Sequence, residues 1–94
     1  MKDGEYIEYY ESGEIFSKII YLDDKLHGES INYFMSGLIS SKCNFIYGEF
    51  NGECIYYFLS GELNYKSYYI YDKAVTELEW ISYNRNIKLE LLGL

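Results

Sequence analysis

Proline is absent from this 94-residue chain, and cationic side chains are scarce. Eight Lys and Arg stand against 15 Asp and Glu, for a net charge of −7. That balance disfavours direct binding to a nucleic-acid backbone or to an anionic membrane. It favours a basic protein surface instead. Without proline, any sheet must protect its edges by other means. Histidine occurs once, as His27, and cysteine twice. A lone His without a second His or a Ser–Asp set leaves no catalytic constellation. Two thiols are too few to close a zinc site. The glycines fall at turns and strand starts, which is not the strand–loop–helix arrangement that cradles phosphate. The expectation is therefore a protein without enzymatic activity, metal or cofactor.

No apolar run reaches the length needed to cross a bilayer. Met1-Lys2-Asp3-Gly4-Glu5 opens without the apolar core of an export signal. A cytoplasmic setting with reduced thiols is expected, so Cys43 and Cys54 read as small packing residues, with a disulfide as the alternative.

What is plentiful is tyrosine, at 13 residues, and it is periodic. Gly4, Gly28 and Gly52 recur every 24 residues, each followed by Glu. In phase with them recur Ile7, Ile31 and Ile55, then Tyr9, Tyr33 and Tyr57, then Ser-Gly pairs ending at Gly13, Gly37 and Gly61. Lys18, Lys42 and Lys66 follow. A fixed period of this length marks a repeat array, in which each unit packs mainly on its neighbours. The chain is one domain with units at 4–27, 28–51 and 52–75 and a degenerate unit at 76–94. Each unit shows two strand-like runs split by a short Gly-containing turn, which predicts a hairpin. The fold class is all-β: a single-layer antiparallel meander of stacked hairpins, six to eight strands in all. Lys88 to Leu94 is expected to fold back as a strand, with a short helix as the alternative.

Two-residue loops at Ser36-Gly37 and Gly48-Glu49 would set Ile31 opposite Lys42, Phe34 opposite Ile39, Lys42 opposite Ile55 and Cys43 opposite Cys54. That register predicts an alternating ladder of Glu5, Lys18, Glu29, Lys42, Glu53, Lys66 and Glu77 across one face, within diagonal reach. Both faces keep apolar groups, which a single layer cannot bury alone. Curling, a homodimer or a bound partner is expected to cover some of them.

The unit G-E-x-I-x-Y-(Y/F)-x-S-G-x-(I/L) resembles the MORN repeat, closest to its bacterial variant with a Y-Y/F-x-x-G core. The stretches "GEYIEYYESGEIFSKIIYLDDKLHG", "GESINYFMSGLISSKCNFIYGEFNG" and "GECIYYFLSGELNYKSYYIYDKAV" carry the resemblance. It spans Gly4 to about Val75. The resemblance implies hairpins stacked into a ribbon, and a scaffold for protein interaction that is sometimes linked to membranes. Bacterial proteins of this variant are often labelled antitoxins. Asp24 and Asp72 depart from it where Gly48 stands in the second unit.

Function is expected in what fails to repeat. Tyr56, Tyr65 and Tyr68 stand where the second unit has Asn32, Ser41 and Asn44. They are candidates for partner contact, because Tyr gives large contact area at low entropic cost. The carboxylates Glu11, Glu14, Asp23, Asp24 and Glu49 exceed what the lysine ladder matches, and join them as candidates. The expected function is a protein-binding module that inhibits or neutralises its partner, such as a basic toxin. The alternatives are a phage-encoded acidic mimic of the anti-CRISPR kind, blocking the nucleic-acid channel of a basic enzyme, and a membrane-associated scaffold.

Overall fold

A computed structural model describes residues 2–93. The six long strands are β1 (Gly4–Tyr9), β2 (Ile15–Leu22), β4 (Gly28–Tyr33), β5 (Ile39–Ile46), β7 (Gly52–Tyr57) and β8 (Leu63–Ile70). Short strands β3 (Lys25–Leu26), β6 (Glu49–Phe50) and β9 (Lys73–Val75) link the units. All nine belong to one antiparallel sheet in the order β1-β2-β4-β5-β7-β8-β9, with β3 on β2 and β6 on β5. A helix, α1 (Glu77–Leu91), follows. The described residues extend over 52 × 36 × 21 Å.

Each hairpin closes through a three-residue loop rather than the expected two-residue one. In the second unit the loop is Met35-Ser36-Gly37, with the Phe34 N–H donating to the Leu38 carbonyl at 2.8 Å. Gly37 takes φ +95 and donates its N–H to the Phe34 carbonyl at 2.9 Å. This is a turn followed by a glycine bulge, one of the common hairpin connections. The three-residue loop sets Tyr33 rather than Phe34 opposite Ile39, and a second irregularity, between Asn32 and Tyr33, cancels the shift. Beyond it the expected register holds: Ile31 faces Lys42, and Lys42 also faces Ile55.

The turns between units also sit one residue from their expected place. Ile46 pairs with Glu49, so the two-residue loop is Tyr47-Gly48. Its partners are Asp23-Asp24 and Tyr71-Asp72, and all six residues have positive φ. Paired positive φ values suit the hairpin turn whose twist matches that of the strands.

A second 24-residue column explains how one unit holds the next. Asp3, His27 and Asn51 each accept, through a side-chain atom, the backbone N–H of the residue twenty positions on. Asp23 donates to Asp3 Oδ1 at 2.9 Å, Tyr47 to His27 Nδ1 at 3.1 Å, and Tyr71 to Asn51 Oδ1 at 2.8 Å. The next residue in each turn donates its N–H to the carbonyl of Lys2, Leu26 or Phe50. Each turn is thereby fastened to the link before it, and its left-handed residues have their donors satisfied.

Paired residues share a face. One face carries the Glu, Ile and Lys columns. The Lys42–Glu29 and Lys66–Glu53 ion pairs close at 3.7 and 3.6 Å, each inside one hairpin. The described residues show no rung from a Lys to the Glu that follows it, so the expected continuous ladder is present only as these two pairs. Lys18 instead lies over the Tyr33 ring, at 6.0 Å from its centroid. The other face carries Ser17, Cys43 and Cys54, which are the buried side chains. Cys43 and Cys54 are free thiols. On this arrangement Tyr21, Phe45 and Tyr69 stand directly opposite Gly4, Gly28 and Gly52.

The C-terminal strand expected over Lys88–Leu94 is not formed. Lys88 lies in α1, and Leu94 is outside the described residues. The reason is local. Val75 replaces the acceptor of the Asp3, His27 and Asn51 column, and Thr76 replaces the glycine. Thr76 then caps a helix: its Oγ1 accepts from Glu79 N–H at 3.1 Å, and Glu79 Oε1 accepts from Thr76 N–H at 3.1 Å. This reciprocal capping box satisfies two otherwise unpaired donors. Glu77 and Glu79 in the first turn and Lys88 in the last suit the helix dipole. Trp80, Tyr83, Asn84 and Ile87 are the partly covered positions, at helical spacing. The Trp80 ring rests on Gly52, where an added Cβ would meet it at 3.6 Å. Glu77, expected as the last rung of the ladder, is in the first turn of α1.

Candidate interaction surface

The sequence-derived candidates do not converge. Tyr56 and Tyr65 face each other across β7 and β8 and stack with centroids 4.5 Å apart at 16°. They share the face of Ser17, Cys43 and Cys54. Cys43 Sγ lies 3.9 Å from the Tyr56 hydroxyl. Burial, followed by the neighbouring Cys43, pushes the Tyr56 hydroxyl well above its ordinary value, so it stays protonated. Tyr68 is on the opposite face, paired with Glu53. Its hydroxyl is pushed up by desolvation first and then by the charge of Glu77.

The acids divide between the two long edges of the ribbon. Glu11 and Glu14 belong to the hairpin-loop edge of the first unit. Asp23, Asp24 and Glu49 belong to the opposite edge, at the turns between units. Asp24 Oδ1 accepts from Lys2 N–H, and Asp23 donates to Asp3, so this pair serves the turn itself. Glu49 pairs with Ile46 in the link and is exposed.

The structure exposes a different cluster, which the sequence reading passed over. Along the hairpin-loop edge of the second and third units, Met35 is 59% exposed, Phe58 50% and Leu59 73%. Leu38 and Leu63 are exposed beside them. Beneath lies an open groove of about 450 Å³, walled by Tyr33 and Tyr57 and lined by Gly37, Leu38, Ile39 and Gly61. The bulge creates it, because the shifted register sets Ile39 opposite Tyr33 and Leu63 opposite Tyr57. A signal for this cluster was present in the columns. Met35 and Leu59 stand where the first unit has Glu11, and Leu38 stands where the other units have Glu14 and Glu62. Apolar residues replace charge at turn positions, where folding alone does not require them.

Among the described residues no group of three His, Cys, Asp or Glu is placed to hold a metal ion. His27 is engaged as a turn acceptor, and its ring tilts against Tyr47 with centroids 4.7 Å apart. No helix among the described residues is long and apolar enough to cross a membrane.

The fold and this surface define a class: an open, single-layer ribbon of β-hairpin repeats, ended by a helix. The chain matches no family model, no curated protein and no solved structure.

Proposed function

We propose that this chain is a non-catalytic protein-binding module that acts by occupying a partner's surface, as an inhibitor or antitoxin of MORN-like kind would. The observation that carries the reading is the apolar cluster of Met35, Leu38, Phe58, Leu59 and Leu63 on one edge of an open sheet. Several exposed apolar side chains along one edge favour a partner over solvent. The net charge of −7 adds long-range attraction for a basic partner. The carboxylates are split between two edges and form no single charged track. That favours recognition through the apolar edge over mimicry of a nucleic-acid backbone.

The test is capture from the native host with the tagged chain, compared with Leu59→Asp and Leu91→Ala variants. The expected result is one stoichiometric protein that is retained in high salt, lost with Leu59→Asp and kept with Leu91→Ala. Equal capture by Leu59→Asp would move the site elsewhere. A chain that retains nothing, and that light scattering shows to be a dimer closed over this edge, would overturn the reading.

A further inference from the structure

The partner's chemistry follows from the spacing of the tyrosine column, and this step rests on the binding-module reading. Tyr9, Tyr33 and Tyr57 lie on β1, β4 and β7, and one strand separates each from the next. Neighbouring strands are about 4.8 Å apart, so the three tyrosine positions recur roughly 9.5 Å apart. A polyproline II helix repeats every three residues, about 9.3 Å. A β-strand repeats at about 6.7 Å and falls out of step at once. We propose that the tyrosine column seats a proline-containing peptide in polyproline II conformation, laid across the strands with every third residue between two tyrosines.

The two intervals between the tyrosines differ in chemistry. The one between Tyr33 and Tyr57 is apolar, with Leu38 and Ile39 in its lining. Glycines at Gly37 and Gly61 leave its loop end low. A proline ring fits such a slot between two aromatic walls, and the preformed helix loses little entropy on docking. The equivalent positions between Tyr9 and Tyr33 put Glu14 where Leu38 stands, with Glu11 in the same loop. Two carboxylates there outweigh the one cation nearby, Lys18, which lies over Tyr33. A Lys or Arg three residues from the proline meets opposite charge and an aromatic face. The recognised pattern is therefore proline and a basic residue three apart. Polyproline II is close to symmetric end to end, so either chain direction fits.

A labelled peptide of five prolines flanked by two arginines tests this. It sets an arginine three residues from the central proline on both sides. Binding is read by fluorescence anisotropy against the full chain. A control peptide keeps both arginines but replaces the prolines with alternating Gly and Ser. The control is expected to bind at least about tenfold more weakly. Tyr57→Ser and Leu38→Asn should each weaken the proline peptide by a similar factor, and Glu14→Gln should lower both affinity and salt dependence. Leu91→Ala should change nothing. Leu38→Asn guards against a folding defect in Tyr57→Ser, because the same column already holds Glu in the other units. Equal binding of the control peptide, or unchanged binding by both Tyr57→Ser and Leu38→Asn, would overturn the proposal. If a host partner is captured through Leu59 while the proline peptide fails to bind, this inference falls and the module reading stands. If the peptide binds with the expected dependence on Tyr57 and Leu38 and no host protein is captured, this inference stands, and what fails is the expectation of a stoichiometric host partner held through Leu59.

Discussion

Asn51 Oδ1 accepts the backbone N–H of Tyr71 at 2.8 Å, across twenty residues of chain. With Asp3 and His27 in the same column, this bond fastens each turn to the unit before it. Removing the acceptor leaves a left-handed residue with an unpaired donor. Asn51→Ala is expected to cost about 1 kcal/mol, the net worth of one such bond. In a domain of this size that is a fall in Tm of roughly 4–8 °C. His27→Asn, which places the third unit's acceptor in the second, should unfold within about 0.5 kcal/mol of the parent. Calorimetry on the two variants checks both numbers.

Gly37 has nothing within 4 Å of where a Cβ would sit, yet its φ is +95. The cost of a side chain there is purely conformational. Gly37→Ala is expected to destabilise by about 1–2 kcal/mol, from left-handed strain without any clash. A urea titration should show the lower midpoint with an unchanged slope. A parent-like midpoint would mean that the loop relaxes to another turn.

The capping box ties helix stability to pH. Hydrogen bonds with Thr76, backbone first and then side chain, hold Glu79 below its ordinary value of 4.5. A protonated Glu79 offers Thr76 N–H only a neutral and weaker acceptor. The unfolded chain therefore takes up the proton first as pH falls. The contribution is complete above 4.5 and is lost as pH drops through the lower folded value. Circular dichroism of α1, together with Trp80 fluorescence for its contact with Gly52, should show the helix loosening in that window. Thr76→Ala should lose about 1 kcal/mol at neutral pH and flatten the acid transition.

Cys54 is 1% exposed. Burial, then its hydrogen bond with Cys43, raises its thiol from 9.0 to about 12. The native chain should resist thiol reagents at neutral pH and react once unfolded in urea. The sign of the pH effect is opposite to that at Glu79. The unfolded thiol loses its proton first as pH rises, so stability is complete below 9.0 and drains away towards 12. Tyr56 shifts in the same direction. Urea midpoints measured across this range should fall, and Cys54→Ala should soften the decline.

Much of this was legible in the residues. The 24-residue columns predict hairpins, their number and their antiparallel order, because each unit repeats the same local turn chemistry and cannot bury its own faces. The pairing of Ile31 with Lys42 follows from that symmetry. The capping box at Thr76 to Glu79 was also readable, as a Thr followed three residues on by Glu. A Trp80, Tyr83, Ile87 stripe lay behind it. The repeat phase instead favours a strand over Lys88 to Leu94, with a short helix as the alternative.

Sequence by itself determined that this chain is a periodic, acidic, antiparallel ribbon. Those properties are local and follow from spacing, turn residues and composition. Only the tertiary structure decided which side chains meet beside the hairpin loops. One glycine bulge per hairpin moves the register by a residue, which turns Ile39 towards Tyr33 and opens the groove. Tertiary packing also brought Cys43 Sγ to 3.9 Å from the Tyr56 hydroxyl and laid the Trp80 ring on Gly52. In a sheet with side chains alternating at every residue, a one-residue shift changes the neighbours beside the loop, and the irregularity between Asn32 and Tyr33 restores the expected pairing beyond it.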